Sequence, residues 1–383
     1  MNSPKKVLFA ISDTGGGHRS GASAIIAALN LNREVQCSIV DILRATALPV
    51  IKKAPEIYDY CSKKHLWLNN LFFRKTNSIS RINALTKIVY LQSRRRIEKE
   101  LAAVQPDVVV AVHPLVIGLL RKARDMSGAS WPIITVVTDL VSLHASWATP
   151  GADLYLVPTQ EAYQFLLKNG IPSSYILYTG FPIHPKFIQG VPSQDEARRR
   201  LGICQDRYTV LITGGGVGAG NMEDWVTELE ENCADKQLLV VTGNNKDLYN
   251  QLMNRNNLSE HMQVYGFVHN MEVLMSASDL VISKAGPGTI MEGVSLQRPL
   301  IITEAVGIQE TGNIDYIVQN HLGYYCPVPA EACQIINRIA ATPRLAGNTP
   351  NDSPVITDGS MQIASVIQRH LEAAATHNWH VGA

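Results

Sequence analysis

The sequence predicts an α/β protein with two parallel-sheet domains, and three observations support this. Short β-rich apolar runs recur, each followed by a turn and a helical pattern: Val7–Ile11, Val108–Val112, Ile133–Thr138, Leu154–Val157, Thr209–Thr213, Leu238–Thr242, Val264–Tyr265, Leu280–Ser283 and Leu300–Thr303. Strands that are apolar throughout and alternate with helices belong to parallel sheets covered on both faces. Glycine-rich loops join strand to helix in both halves. The series also breaks in a Pro- and Gly-rich stretch from Thr179 to about Gln194 and then begins again, as at an interdomain linker.

At 383 residues the chain is long for one hydrophobic core. The expected domains are residues 1–185 and 186–350. Residues 351–383 form a tail whose last amphipathic helix, about Met361–Ala375, follows a loop at Thr342–Ser360 and returns to the first domain. A composition of 46% hydrophobic and 17% charged residues is that of a globular protein, and a net charge of +1 excludes a generally basic nucleic-acid binder. Six cysteines lie far apart, without zinc spacing, and are expected to be reduced; no metal site is expected. The opening MNSPKKVLFAIS has too short an apolar run for a signal peptide and reads as the first strand. No stretch approaches the roughly 18–20 apolar residues of a spanning helix, so the expected location is cytoplasmic, with any membrane contact peripheral.

Residues 51–100 depart from the pattern. They carry twelve Lys/Arg against four acids, interleaved with Ile57, Tyr58, Tyr60, Leu66, Trp67, Leu68, Leu71, Phe72 and Phe73. Basic residues beside large aromatics at helical spacing suit an interfacial helix on an anionic membrane; an insertion with a solvated basic face is the plainer reading.

Three loops bear the chemistry. After the first strand comes Ser12-Asp13-Thr14-Gly15-Gly16-Gly17-His18-Arg19-Ser20-Gly21, leading to a helix expected at Ala22–Leu29. It is neither GxGxxG nor a Walker loop. Gly17 presents backbone to an anion, and His18, at a strand's carboxyl end, suits proton abstraction near neutrality. His113-Pro114, after another strand, is a weaker candidate. The second loop, Thr213 to Asn221, holds Gly214, Gly215, Gly216 and Gly218 before a helix at Trp225–Glu231; so many glycines point to close backbone approach to a phosphate. In the third, Gly286, Pro287, Gly288 and Thr289 open a helix that carries Glu292 one turn inside, suited to ribose hydroxyls. Gln309, Glu310 and Asn313 follow, suited to the hydroxyls of a hexose.

SDTGGGHRSGA, VTDLVSLHASW at Val137–Trp147, TGFPIHPKF at Thr179–Phe187, GGGVGAG, GFVHNM at Gly266–Met271, and KAGPGTIMEG with QETGN at Lys284–Asn313 occur in this order. With them the chain resembles the monogalactosyldiacylglycerol synthases and the processive diacylglycerol glucosyltransferases, and more distantly the N-acetylglucosaminyltransferase of the lipid-linked peptidoglycan precursor. The resemblance implies a glycosyltransferase-B fold, two Rossmann-like domains with parallel sheets facing a central cleft, acceptor in the first and nucleotide-sugar in the second. It implies His18 as general base and inverting transfer from UDP-glucose or UDP-galactose to diacylglycerol, with no bound cofactor and no essential metal. Asp139 would orient or supplement the base, or else cap a turn. His144 and Trp147 belong to the acceptor side, with Trp67, Phe72 and Phe73 on an anionic membrane surface. Phe267 and Val268 match the segment that holds uracil through its backbone. One departure is His184, where the family pattern has an arginine available to the diphosphate; the oligomeric state is not indicated. A soluble or other lipid-linked acceptor, and a nucleotide-sugar-binding sensor without turnover, stay open as alternatives.

Overall fold

The structure is a computed structural model, and it describes all residues except 1–3, 15, 32–34, 54–55, 58–59, 62–64, 256–258, 342–354 and 377–383. Gly15, Tyr58, Asp59, Lys63, Lys64 and most of the expected loop at Thr342–Ser360 therefore lie outside the described residues. The chain divides into two compact units, Met1–Pro185 with Asp358–Ala383, and Lys186–Thr357.

The first unit runs β1 (Lys6–Ile11), α1 (Gly17–Asn30), β2 (Gln36–Asp41), α2 (Pro49–Lys52), α3 (Leu66–Thr76), α4 (Ile79–Val104), β3 (Val108–Ala111), α5 (Ile117–Ser127), β4 (Ile133–Val136), β5 (Leu154–Val157), α6 (Gln160–Lys168) and β6 (Ile176–Tyr178). Its strands form one parallel sheet in the order β2-β1-β3-β4-β5-β6. One sheet face packs on α4 and α5 through Tyr90, Ile97, Ile117 and Leu120. The other packs on α1 and on the last helix, Gly359–Thr376, through Ile25, Leu29, Ile363 and Ile367.

The second unit runs α7 (Gln194–Leu201), β7 (Thr209–Thr213), α8 (Met222–Asn232), β8 (Gln237–Val241), α9 (Lys246–Met253), β9 (Met262–Tyr265), α10 (Met271–Ala277), β10 (Leu280–Ser283), α11 (Pro287–Ser295), β11 (Leu300–Ile302), α12 (Ile308–Gln319), β12 (Gly323–Tyr325) and α13 (Pro329–Ala341). Its parallel order is β12-β11-β10-β7-β8-β9, the doubly wound arrangement of a Rossmann sheet. The α/β class expected from the apolar runs is what is found.

Both sheets reverse their winding at one point, between β1 and β3 in the first and between β7 and β10 in the second. A crevice opens at the carboxyl ends of such strand pairs, because the helices that follow them leave to opposite faces. The histidine loop follows β1, and the two glycine loops follow β7 and β10.

Three strands were not expected, β2, β6 and β12. All are sheet edges, partly exposed, and so lack the continuous apolar run of a central strand. The cysteine expectation needs one correction, since Cys233 and Cys333 are joined as a disulfide between the end of α8 and α13. They are 100 residues apart in sequence and meet only because α8 and α13 pack together, which spacing could not reveal.

Candidate functional site

In the first unit the chain leaves β1 through Ser12 and turns at Gly16, whose φ of 75° is left-handed and suits glycine. Helix α1 begins at Gly17, five residues before the expected start at Ala22, so Gly17 and His18 form its first turn instead of the preceding loop. Arg19 grips Asp13 with two hydrogen bonds, Nε to Oδ1 at 2.6 Å and a terminal nitrogen to Oδ2 at 2.9 Å. The guanidinium holds the Asp13 carboxyl below its usual range.

His18 Nδ1 lies 2.9 Å from the Thr138 hydroxyl. Gly21, one turn on, allows this approach: a Cβ there would stand 3.3 Å from Pro182 and 3.4 Å from the Thr138 methyl. Burial of the ring lowers the His18 pKa to about 4, partly opposed by the Val112 carbonyl, which accepts a hydrogen bond from it. Burial thus keeps the imidazole in its neutral form, the form that can accept a proton. His113 meets the His18 ring edge-on at 4.5 Å between centroids. Its Nδ1 accepts from the Leu115 N–H at 3.2 Å, so Nε2 carries the proton and donates to the Thr14 hydroxyl at 2.9 Å. Burial likewise holds His113 well below the usual histidine range.

Asp139 Oδ2 accepts the indole N–H of the fully buried Trp147 at 2.6 Å, and the Trp147 ring lies 6.2 Å from that of His18. The hydroxyl at the histidine belongs to Thr138, which the sequence reading assigned to a strand; β4 in fact ends at Val136. His144 ties this turn to the basic aromatic segment. Its Nδ1 accepts from the Ser146 N–H, its Nε2 is 3.1 Å from the Thr76 hydroxyl, and its ring meets Phe73 at 4.8 Å. Ala145 N–H donates to Asn77 at 2.7 Å. Phe73, expected on the membrane side, is thus turned inward against His144. Trp67 and Phe72 are 63% and 59% exposed, beside Leu71 on α3 and Leu85, Ile88 and Leu91 on the outer face of α4. No helix among the described residues is long and apolar enough to cross a membrane.

In the second unit the glycines after β7 have several separate reasons. A Cβ at Gly214 would collide with the Ala219 carbonyl, and one at Gly218 with that of Thr242. The Gly218 N–H is spent on Gly215 O at 3.0 Å, and Gly214 O accepts from Ala219 at 3.1 Å. These two glycines close the loop on itself and on the residue that follows β8. Gly215 and Gly216 form its outer turn, and Gly216 is exposed with open space at its Cβ position.

The third loop caps α11 at Gly286, with Pro287 as its first residue and Gly288 and Thr289 in its first turn. The N–H groups of a first turn lack intrahelical partners and face anions. Glu292 lies one turn further, partly buried, and burial raises its carboxyl to about 7, countered by Lys186 and reinforced by Glu272. Lys186 bonds the His269 carbonyl at 2.5 Å and Glu272 at 2.7 Å, which fixes the segment bearing Val268 and the half-exposed Phe267.

Glu310 and Asn313, expected to face a hexose, are 7% and 1% exposed and turn inward. Glu310 receives the Lys284 ammonium at 2.5 Å and the Val306 N–H at 2.8 Å. Asn313 donates to the Ala285 carbonyl at 2.8 Å. Both hold the loop after β10. Gln309 lies at the start of α12, donating weakly to Val306 O at 3.4 Å. Among the described residues no group of three or more His, Cys, Asp or Glu is arranged to hold a metal ion.

Residues 18–183 match the monogalactosyldiacylglycerol synthase family model, and residues 209–304 match the glycosyltransferase family 28 C-terminal domain. The fold is shared with the UDP-GlcNAc 2-epimerase of Neisseria meningitidis (TM-score 0.59, 14% identity, 96% of this chain and 100% of that one). It is also shared with the calicheamicin glycosyltransferase (TM-score 0.61, 10% identity, 98% and 100%). Both sheets and their flanking helices therefore form a glycosyltransferase-B fold. The probable chloroplastic monogalactosyldiacylglycerol synthase of Glycine max is 34% identical over 87% of this chain, which spans 64% of that relative's length. Monogalactosyldiacylglycerol synthase 2 of Arabidopsis thaliana is 30% identical over 88% of this chain and 74% of its own. With this identity running through both units, the chain belongs to the monogalactosyldiacylglycerol synthase family.

Proposed function

We propose that the protein is an inverting glycosyltransferase that moves a hexose from a UDP-sugar to the 3-hydroxyl of diacylglycerol, giving a β-glycosyl glycerolipid. The observation that carries this reading is His18, an imidazole kept neutral by burial at the reversal point of the first sheet and oriented there by Thr138. The ring N–H donates to the Val112 carbonyl, so the other, unprotonated ring nitrogen is the atom that takes the acceptor's hydroxyl proton. The hydroxyl oxygen then attacks the anomeric carbon from the face opposite the phosphate. A C–O bond forms, the bond to the β-phosphate oxygen breaks with its electron pair, and UDP leaves. An α-linked donor thus yields a β-glycoside.

Glu292 on α11 is assigned to the ribose, the 266–271 segment with Phe267 and Val268 to the uracil, and Gly215, Gly216 and the α11 N-terminus to the diphosphate. Galactose is the favoured sugar, because the relatives named above are monogalactosyldiacylglycerol synthases. The acceptor would be met at a membrane surface. Trp67, Phe72, Leu85, Ile88 and Leu91 offer exposed apolar surface amid the excess of eight basic residues in 51–100. At ~1 kcal/mol per basic residue near an anionic leaflet, that excess suffices for reversible peripheral docking.

The test is a transfer assay with UDP-galactose and UDP-glucose separately, on diacylglycerol in anionic vesicles, with chromatographic separation of the lipids. A new glycolipid with one donor supports reaction and sugar together. UDP binding without lipid product would move the acceptor to soluble molecules or leave a nucleotide-sugar sensor.

A further inference from the structure

Lys284 is the first residue beyond β10, at the reversal point of the second sheet, where the loop after β7 lies alongside. Its side chain is 15% exposed, and its ammonium pairs with Glu310 Oε1 at 2.5 Å while Glu310 Oε2 is anchored by the Val306 N–H. Two glycines gauge where it sits. A Cβ at Gly286, which caps α11, would be 2.8 Å from the ammonium nitrogen. One at Gly215, on the outer turn after β7, would be 3.7 Å from Lys284 Cε and 4.0 Å from the Thr289 hydroxyl. The lysine therefore lies beside both glycine loops, closely at Gly286 and within ordinary contact range of a side chain at Gly215.

A diphosphate arriving there brings negative charge, and it gains one more when the bond to the anomeric carbon breaks. Helix and loop N–H groups supply partial charges only. The linker position that carries an arginine in the family pattern holds His184 here, and a histidine is not fully charged at neutral pH. Lys186 is committed to Glu272 and the His269 carbonyl beside Glu292. Among the described residues, Lys284 places an ammonium beside both loops, aimed by a carboxylate that is itself held by backbone.

We propose that Lys284 binds the diphosphate of the donor and stabilises it as a leaving group, with Glu310 as the residue that positions it. This rests on the nucleotide-sugar reading above.

The experiment is calorimetric titration of the full-length chain with UDP and with uridine, for wild type, Lys284→Met, Lys284→Arg and Glu310→Gln. The Met variant should lose roughly tenfold or more of UDP affinity with uridine binding unchanged, and the Arg variant should recover most of it. Unchanged UDP binding in the Met variant, or equal losses for UDP and uridine, overturns the proposal. Glu310→Gln removes the carboxylate that aims the ammonium, so UDP should bind more weakly than to wild type with uridine binding unchanged. Unchanged UDP affinity there overturns the proposal even if the Met variant does not fold. Wild type that binds UDP but makes no glycolipid would refute the lipid acceptor and leave the lysine assignment standing, whereas wild type that binds no UDP refutes both.

Discussion

Replacing Glu292 by glutamine should stabilise the protein while disabling it. The carboxyl sits on α11 with Glu272 nearby, and burial raises its pKa from an ordinary 4.5 to about 7, despite the opposing pull of Lys186. The folded state therefore holds a proton that the unfolded chain has already released between these two values. Stability falls as pH rises from about 4.5 to about 7, and the full penalty applies above that. At ~1.4 kcal/mol for each tenfold change in proton affinity, the penalty is about 3 kcal/mol at pH 8. Glutamine keeps the shape without the charge and removes the penalty.

Urea unfolding at pH 8 and pH 4.5, followed by the fluorescence of the buried Trp225 in the same unit, measures it. The variant should be more stable than wild type by up to about 3 kcal/mol at pH 8 and nearly equal to it at pH 4.5. An equal difference at both pH values, or a less stable variant at pH 8, would refute the argument that Glu292 is a charge buried at a cost. Titration with UDP supplies the other half. A carboxylate that accepts ribose hydroxyls binds best when ionised, so wild-type affinity should rise with pH through about 7 and that rise should vanish in the variant. A protein that keeps a destabilising acid where an amide would fit keeps it for a ligand.

His18→Ala should reduce hexose transfer by roughly 10²–10⁴-fold with UDP titration unchanged. Because the imidazole is neutral down to about 4, the wild-type rate should show no His18 break between pH 8 and pH 5; a break near the ordinary histidine value would contradict the burial argument. Thr138→Val removes the hydroxyl at Nδ1 and should slow transfer about tenfold at unchanged UDP affinity, and equal rates would show that the ring needs no such anchor. Exchanging exposed Trp67 and Phe72 for serine should lower sedimentation with anionic vesicles by roughly tenfold or more while UDP binding stays the same. Unaltered sedimentation would place the membrane contact elsewhere.

The architecture was legible because central parallel strands are apolar on both faces and leave an unambiguous trace. Edge strands β2, β6 and β12 left none for the same reason in reverse. Sites were legible as loops and less so as atoms. His18 could be chosen because it follows a strand and a glycine turn. Its orienting group was missed because Thr138, beside Asp139 in a run of β-branched residues, reads as the end of a strand. Lys284 stood in the quoted motif without a role, since only the fold sets the loop after β7 against the loop after β10. Glu310 and Asn313 are expected to meet hexose hydroxyls from their polar groups and from the motif that the resemblance supplies. Polarity does not reveal that Glu310 meets the Lys284 ammonium, or that the Asn313 amide donates to the Ala285 carbonyl while its oxygen stays without a hydrogen bond among the described residues.

The two units use one topological position in opposite electrostatic ways. At the first reversal point the imidazole of His18 is buried among neutral partners, Thr138, the Val112 carbonyl and the edge of His113, and burial without a counter-charge keeps it uncharged. That suits a group whose task is to accept a proton. At the second, the amine of Lys284 is largely buried and paired with the Glu310 carboxylate at 2.5 Å. That suits a group whose task is to meet an anion. Glu310 acts through the lysine: one carboxylate oxygen meets the ammonium while the Val306 N–H fixes the other.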